Sequence, residues 1–281
     1  MILYKYVGFD AGLKILETST LGFSLPRNFN DPFEVTALAL MGETVNVGVE
    51  TQAVRSRFIN KYAVLSLTRA PLNPLMWSHY ADSHKGMVIG IDTEKAGLES
   101  FENYTIPAQR GEIIYVNTVP KHINSIDAVQ LMQIGSKHHI WWESHERLLK
   151  HAFLYKQLHW AYEEEVRVVK CLESDQYHSY YSKHDYEFEL DGEKWGRKYI
   201  GLRGIFLKKI PSDAFVEIYL GENGYRDQRR QCNNLIDGHK VPKIEHLKEF
   251  SRNNNIELFT VLVDTETWSL KSKIINSIDL D

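Results

Sequence analysis

Apolar and polar positions alternate along several short stretches of the chain, which is the pattern of strands with one buried face. Strands are predicted over residues 2–7, 21–24, 35–49 (with a turn at 42–43), 62–68, 87–91, 111–116, 165–169, 215–220 and 256–263, and a pair of strands broken at Gly201 and Gly204 is predicted over 199–207. Apolar positions at helical spacing predict helices over 11–17, 51–60, 75–81, 125–137, 146–160, 226–236 and 242–253. Asp10 is expected to cap the first helix. The mixture favours an α+β fold.

No internal repeat, low-complexity run or clean linker interrupts this pattern. We therefore expect a single mixed α/β domain over residues 1–265. Within it, a helical insertion is expected at about 121–160. A second insertion, polar and rich in tyrosine, is expected to form a loop at about 173–195. Residues 266–281 are expected to form a C-terminal tail or a hairpin.

Composition narrows the classes of function without selecting one. The 281 residues are 43% hydrophobic and 25% charged, as in a globular protein with a sizeable core. The formal net charge of −4 gives no reason to expect tight binding to a nucleic-acid backbone, although a local basic patch is not excluded. The 15 Tyr, 12 Phe and 6 Trp suit a dense core or a pocket that stacks a planar ligand.

Cysteine usage and the N-terminal sequence favour a cytoplasmic protein. Cys171 and Cys232 are too few for a disulfide framework, which fits a reducing compartment. The N-terminal residues lead directly into a predicted strand and lack the regions of a signal peptide. No apolar run approaches the roughly 18 residues needed to span a bilayer, so no membrane contact is expected.

Reactive side chains concentrate between the predicted helix 75–81 and the strand 87–91. This segment contains Ser78, His79, Tyr80, Asp82, His84 and Lys85, with Gly86 at the end of the helix. Few structural turns have so many reactive groups. A purely structural turn is the alternative interpretation, because turns between helices and strands are polar in any case.

Two further stretches combine acids with buried-type residues. Residues 26–34 form a long turn-rich loop containing Asn30 and Asp31, whose side chains can instead satisfy backbone groups. In residues 160–169, Glu165 and Arg167 share one face of a predicted strand. That pair forms either a solvated ion pair at a sheet edge or a carboxylate that points into a cleft.

Four histidines lie close together in sequence, at positions 138, 139, 145 and 151. No pair has a recognised ligand spacing with a carboxylate or thiol in register. We therefore expect no metal site.

Four motifs in order, at residues 4–6, 23–34, 76–86 and 160–167, resemble a bacterial family of unknown function, DUF2971. The likeness extends over roughly residues 2–221. The beginning of that family resembles, more distantly, the ADP-ribosyltransferase-like fold of bacterial toxins. This resemblance implies an α+β fold with a central, mostly antiparallel split sheet.

The resemblance also implies site residues and a substrate, NAD. Lys5 and Tyr6 would lie on the first strand, and Ser66 or Ser78 would take the middle position. The catalytic glutamate would be Glu165 or Glu163. Two departures from the toxin pattern are visible, since Lys5 stands where the toxins have His or Arg, and the Ser-Thr-Ser triplet is absent.

The chemistry of NAD gives the remaining implied residues their roles. Breaking the nicotinamide–ribose bond builds positive charge on the sugar, so a carboxylate near C1′ stabilises the transition state. The implied catalytic residues are Glu165, Glu163, His79 and Ser78. The implied binding residues are Trp77, Tyr80 or Tyr6 for stacking nicotinamide, Lys5, Arg69 or Lys85 for the diphosphate, and Asn30 and Asp31 for ribose hydroxyls. Ser24, from the second motif, and Ser66, from the middle position, complete this set.

Three functions follow as hypotheses. The first is an NAD-consuming ADP-ribosyltransferase-like or glycohydrolase effector, a toxin of antiphage defence controlled by a partner protein. The second is a metal-independent nuclease that uses His79 or His84 as general acid–base, with Lys85 or Arg69 against the phosphate. The third is a non-catalytic nucleotide-binding or protein-interaction module, in which Trp77 fills the core.

Overall fold

A computed structural model of the protein describes residues 1–31, 59–118, 146–172, 185–200, 203–226 and 243–275. The α-helices whose two ends both lie within these residues are α1 (Phe9–Thr18), α2 (Pro74–Tyr80), α3 (Glu146–Phe153) and α4 (Lys243–Asn253). The strands are β1 (Ile2–Val7), β2 (Thr20–Ser24), β3 (Tyr62–Thr68), β4 (Met87–Asp92), β5 (Ile114–Val116), β6 (Tyr155–Gln157), β7 (Glu165–Cys171), β8 (Tyr186–Leu190), β9 (Glu193–Ile200), β10 (Arg203–Lys209), β11 (Phe215–Leu220), β12 (Glu257–Asp264) and β13 (Ser269–Ile274).

The chain forms two compact units, each assembled from separate stretches. Unit 1 comprises Met1–Ser19, Leu67–Ala96 and Ile210–Asp281, and unit 2 comprises Thr20–Ser66 and Gly97–Lys209. Both units combine helices with sheet, and most strand pairs are antiparallel. The prediction of an α+β fold with a large, mostly antiparallel sheet is confirmed. The single domain predicted over residues 1–265 stays a prediction.

In unit 1, the strands lie in the order β13, β12, β11, β4 and β1, and only β11 and β12 run parallel. Helices α1 and α4 contact β4 and β12. Gly12 of α1 packs directly against Met87. A Cβ added to this glycine would lie 2.3 Å from the methionine sulfur, so the close contact requires a residue without a side chain. Burial of Leu16 and Leu247 completes the helix contacts with the core.

In unit 2, β2 pairs with β3 and with β10, and β9 and β8 continue from β10, all in antiparallel order. Strand β7 also pairs with β3, while β5 and β6 form a separate parallel pair. Helix α3 contributes to the core of this unit. That core is formed by Tyr62, Val64, Ile106, Ile113, Leu148, Leu149, Ala152, Phe153, Leu154, Val169 and Cys171.

Three local predictions were wrong. The predicted helix 146–160 ends at Phe153, because the chain then becomes extended as β6, pairs with β5, and continues into a 3₁₀ segment, Leu158–Glu163. The predicted loop 173–195 includes β8 and the start of β9, which pair as a hairpin. Helix α1 begins at Phe9, with Gly8 rather than Asp10 at its N-cap.

Some predictions fall outside the described residues, among them residues 35–49, 51–58, 125–137 and 227–236. The terminal segment, for which a tail or a hairpin was expected, contains β13, which pairs with β12. In the part of the chain that the structure describes, no helix has the length and apolarity required to cross a membrane.

Candidate functional site

Two glutamates enter the interior of unit 2 where the 3₁₀ segment Leu158–Glu163 joins β7. Glu164 between them adopts a left-handed conformation (φ 44°) and is exposed. Glu163 and Glu165 on either side are only 4% and 5% exposed. The interpretation of Glu165 as part of a solvated sheet edge was therefore wrong, and every residue of β7 is buried.

Lys156 bridges the two carboxylates. Its Nζ donates to Glu163 Oε2 at 2.6 Å and to Glu165 Oε2 at 2.9 Å. The lysine is 7% exposed and reaches the acids from β6. Lys156 falls within the helix predicted over residues 146–160 and was not among the predicted site residues.

Arg167 holds Glu165 from a second side, two positions further along β7. Its Nε donates to Glu165 Oε1 at 2.8 Å, and a terminal nitrogen donates to Oε2 at 3.1 Å. The other terminal nitrogen donates to the Phe153 carbonyl at 2.7 Å, and the guanidinium lies 5.2 Å from the centre of the Phe29 ring. Such a bidentate pair defines the orientation of the carboxylate.

These contacts determine the charge of Glu165. Burial alone would raise its pKa, but Arg167 and Lys156 hold the pKa well below its usual range, with a further hydrogen bond from the Ser66 side chain. Glu165 is therefore ionised at neutral pH. Burial alone would lower the pKa of Lys156, yet Glu165 and Glu163 raise it, so the lysine is charged as well.

Aromatic side chains line this carboxylate cluster, defined as Lys156, Glu163, Glu165 and Arg167. The Glu165 backbone N–H donates to the Tyr115 hydroxyl at 2.9 Å, and burial raises the pKa of that phenol to about 12. Lys156 Nζ lies 5.1 Å from the centre of the half-buried Trp160 ring. Tyr115 and Trp160 were not among the predicted site residues, since nothing in their spacing marks a site.

In unit 1, the predicted turn forms around Trp77. This side chain is 0% exposed, and its Nε1 donates to the Pro71 carbonyl at 2.9 Å. Its ring meets Tyr6 edge-on at 5.6 Å and stacks with His84 at 6.2 Å. The Tyr6 hydroxyl donates to the Ala70 carbonyl at 2.7 Å, so Trp77 and Tyr6, two of the three predicted stacking residues, have structural contacts. Their roles toward a ligand stay predictions.

The turn after α2 has an unusual backbone. Asp82, Ser83 and His84 are all left-handed, with φ values of 48°, 52° and 65°. Such conformations persist only where surrounding structure enforces them. Here, Gly221 packs so closely that an added Cβ would lie 2.1 Å from the His84 carbonyl oxygen. Burial lowers the pKa of His84, while Glu222 opposes that shift.

The other predicted site residues are distributed over both units. In unit 1, Ser78, His79, Lys85 and Arg69 are exposed, while Tyr80 and Lys5 are half-buried. In unit 2, Ser24 is half-buried, Asn30 is exposed and Asp31 is 4% exposed. The structure brings Ser66, Glu163 and Glu165 together in unit 2, and Tyr6 and Trp77 together in unit 1. Whether these residues bind a ligand stays a prediction.

Of the four clustered histidines, only His151 lies within the described residues. Its Nδ1 is 2.6 Å from the Arg147 carbonyl oxygen, and burial lowers its pKa. Among the described residues, no three His, Cys, Asp or Glu side chains are grouped so that they could hold a metal ion.

Comparison with known proteins gives one match. Residues 76–168 match a family described as a protein of unknown function, DUF2971. The matched stretch begins in α2 and ends in β7, so it includes both the turn after α2 and the carboxylate cluster. Neither curated proteins nor solved structures gave a match. The family resemblance expected over residues 2–221 is thus supported over residues 76–168.

Proposed function

Starting from that family match, we propose that the protein consumes NAD, as an ADP-ribosyltransferase or as a glycohydrolase. The observation that carries the proposal is the hydrogen bond between Ser66 of β3 and the ionised carboxylate of Glu165 at the start of β7. The resemblance implies a serine on a middle strand and a catalytic glutamate on a late strand, and this hydrogen bond joins one residue of each kind. Of the two predicted serines, Ser66 is therefore the stronger candidate for the middle position.

The proposed chemistry uses the charge of Glu165. Loss of nicotinamide builds positive charge on the ribose, and a carboxylate already ionised at neutral pH stabilises it without a proton transfer. Arg167 and Ser66 hold that carboxylate in one orientation. Glu163 is joined to the same lysine and lies two residues earlier, so it is the proposed second acid, facing the acceptor of the ribosyl group.

The direct test is release of nicotinamide from NAD. Purified protein is incubated with NAD, with and without a cell extract that supplies acceptors, and nicotinamide is measured by chromatography. We expect release by the wild type and a loss of at least about a hundredfold in Glu165→Gln, the order found when a main electrostatic group is removed. Release without extract indicates a glycohydrolase, and release only with extract indicates a transferase.

Glu164→Gln is the matched control, because it removes the same charge from the same segment at an exposed position. It should retain full activity. Thermal denaturation establishes that each variant is folded before activity is compared. The proposal fails if the wild type releases no nicotinamide under either condition, or if a folded Glu165→Gln variant keeps its activity.

A second function, a non-catalytic nucleotide-binding module, is favoured by one observation. Both glutamates are at most 5% exposed, and Lys156 and Arg167 already occupy the oxygens of Glu165. Carboxylates bound in this way have the contacts expected of groups that stabilise the fold. This function predicts that NAD or another nucleotide raises the melting temperature with no turnover. Stabilisation with nicotinamide release instead supports the enzyme.

The proposed biological setting is a toxin of antiphage defence that a partner protein restrains. Expression of the wild type in bacteria should then lower cellular NAD and stop growth. Glu165→Gln should do neither, and Glu164→Gln should do both. Growth arrest that persists in Glu165→Gln without a fall in NAD would remove the toxin proposal but leave the measured enzyme activity intact.

A further inference from the structure

One face of the sheet of unit 1 contains a glutamate set among aromatic rings. Tyr4 of β1 lies opposite Gly90 of β4, and Gly90 lies opposite Glu217 of β11. Two residues after Glu217 on β11, Tyr219 lies beside Phe259 of β12. Residues two apart on a strand share a face, so Tyr4, Glu217, Tyr219 and Phe259 lie on the same side. We refer to these four residues as the tyrosine–glutamate site.

The carboxylate of this site is hydrogen-bonded by phenols. The Tyr219 hydroxyl donates to Glu217 Oε2 at 2.9 Å, and Tyr4 also hydrogen-bonds Glu217. Burial and the charge of Glu217 raise the pKa of Tyr4 to about 12, and burial and the same carboxylate raise that of Tyr219 above its usual range. Both phenols therefore stay protonated and neutral, so neither of them compensates the negative charge of Glu217.

No cation of the described residues pairs with Glu217. Its contacts are those with Tyr4 and Tyr219. The nearby lysines of β13, Lys271 and Lys273, lie opposite Leu262 and Thr260, which alternate with Phe259 and so face the other side of the sheet. Glu257, directly beside Glu217 on β12, adds a second negative charge to the same face.

The aromatic rings surround this charge in an ordered arrangement. Tyr219 and Phe259 stack with ring centres 4.7 Å apart and 12° between planes. Tyr4 meets Tyr219 edge-on at 6.0 Å. Tyr4 and Phe259 are half-buried, whereas Tyr219 between them is 7% exposed. Ring faces attract cations electrostatically, and this attraction adds to that of the carboxylate.

Gly90 keeps the centre of the site open. A Cβ at this position would lie 2.9 Å from the Glu217 Cβ and 3.2 Å from the Tyr4 ring. Any side chain here would push the tyrosine and the glutamate apart. The missing side chain therefore lets the carboxylate and the two phenols meet across β4.

We propose that the tyrosine–glutamate site binds a small organic cation through its ammonium or guanidinium group. The carboxylate supplies the opposite charge, and the half-buried rings of Tyr4 and Phe259 supply aromatic surface, with the buried Tyr219 ring holding them in place. A divalent metal ion fits less well, since Glu217 is the one carboxylate among the four residues and the other side-chain oxygens belong to neutral phenols.

The test is isothermal titration of the full chain with putrescine and with agmatine, which present ammonium and guanidinium groups. Butane-1,4-diol is the neutral isostere of putrescine, and MgCl₂ tests the metal alternative. We expect binding of at least one organic cation and none of the diol. Glu217→Gln should weaken that binding about tenfold or more, because it removes the charge and keeps an acceptor for Tyr219.

Two further variants complete the experiment. Glu249→Gln removes an exposed acid of α4 and should leave binding unchanged. Phe259→Leu removes one ring without changing charge and should weaken binding about 2- to 30-fold. If Glu217→Gln does not fold, Phe259→Leu decides the question. The proposal is wrong if neither cation binds better than the diol, if Glu217→Gln and Glu249→Gln bind alike, or if only Mg²⁺ binds.

Discussion

Removing the ammonium group of Lys156 should destabilise unit 2 strongly at neutral pH. The four charges of the carboxylate cluster are balanced, two positive and two negative, and Lys156 contacts both acids at 2.6 and 2.9 Å. Lys156→Met keeps the volume of the side chain but leaves two carboxylates with one guanidinium among the buried charges. Breaking a buried ion pair by removing one partner costs about 3–5 kcal/mol.

The control is Lys150→Met on α3. Lys150 pairs with Glu146 at 2.7 Å, a distance like those of Lys156, but its side chain is 38% exposed. An exposed pair of this kind contributes about 0.3–0.5 kcal/mol. The two substitutions are chemically identical and differ in burial, so their difference measures what burial adds to the same contact.

The assay is urea denaturation followed by tryptophan fluorescence, at pH 7 and at pH 4. Trp160 lies beside Lys156 and reports on the cluster. At pH 7 Lys156→Met should lower the free energy of unfolding by about 3–5 kcal/mol and Lys150→Met by under about 0.5 kcal/mol. At pH 4 the loss in Lys156→Met should shrink, because a carboxylate without its cation can take up a proton.

A result with equal losses in the two variants at pH 7 would refute the buried charge cluster. A loss in Lys156→Met that does not change between pH 7 and pH 4 would point to packing of the lysine stem rather than to charge.

Three further predictions concern other parts of the molecule. Gly221→Ala should lower the melting temperature markedly, because its Cβ would lie 2.1 Å from the His84 carbonyl oxygen. Gly196→Ala, whose added Cβ would lie 3.9 Å from the Leu207 side chain, should not, and equal effects would contradict the close approach. Asn73→Ala should cost about 1 kcal/mol in urea denaturation through loss of the N-cap of α2, and a change near zero would argue against that cap. Folding depresses the pKa of Glu165, so the stability that its charge contributes is present above the ordinary carboxyl pKa of about 4.3 and is lost as the pH falls below that value. In a Glu165→Gln variant, the free energy of unfolding measured from pH 3 to 7 should lack this acid-dependent loss.

Helices and strands were predicted correctly from the sequence where the spacing of apolar residues was regular. The predicted strand 62–68 and the predicted helix 75–81 match β3 and α2 within one residue. The helix predicted over 146–160 failed, because the apolar spacing of its first half was extended past Phe153. There the parallel pairing of β6 with β5 outweighs the local preference for a helix. The sequence of one strand alone does not show which other strand it pairs with.

The candidate sites were only partly predictable for the same reason. Glu163 and Glu165 were identified through a motif and Ser66 through the resemblance to the toxin fold, but Lys156, which joins the two acids, was not identified. The tyrosine–glutamate site was missed altogether. Its members lie on three strands, and only the register of β1, β4, β11 and β12 brings them together.

The order of the chain stretches in unit 1 has a consequence for the protein during synthesis. Strand β4 lies between β1 and β11, yet β11 is made only after all of unit 2 has been translated. Until then, the apolar strand Met87–Asp92 has one edge without its partner, and such edges pair readily with other chains. A ribosome-bound chain stalled before residue 210 should therefore depend on a chaperone, whereas the released protein should not.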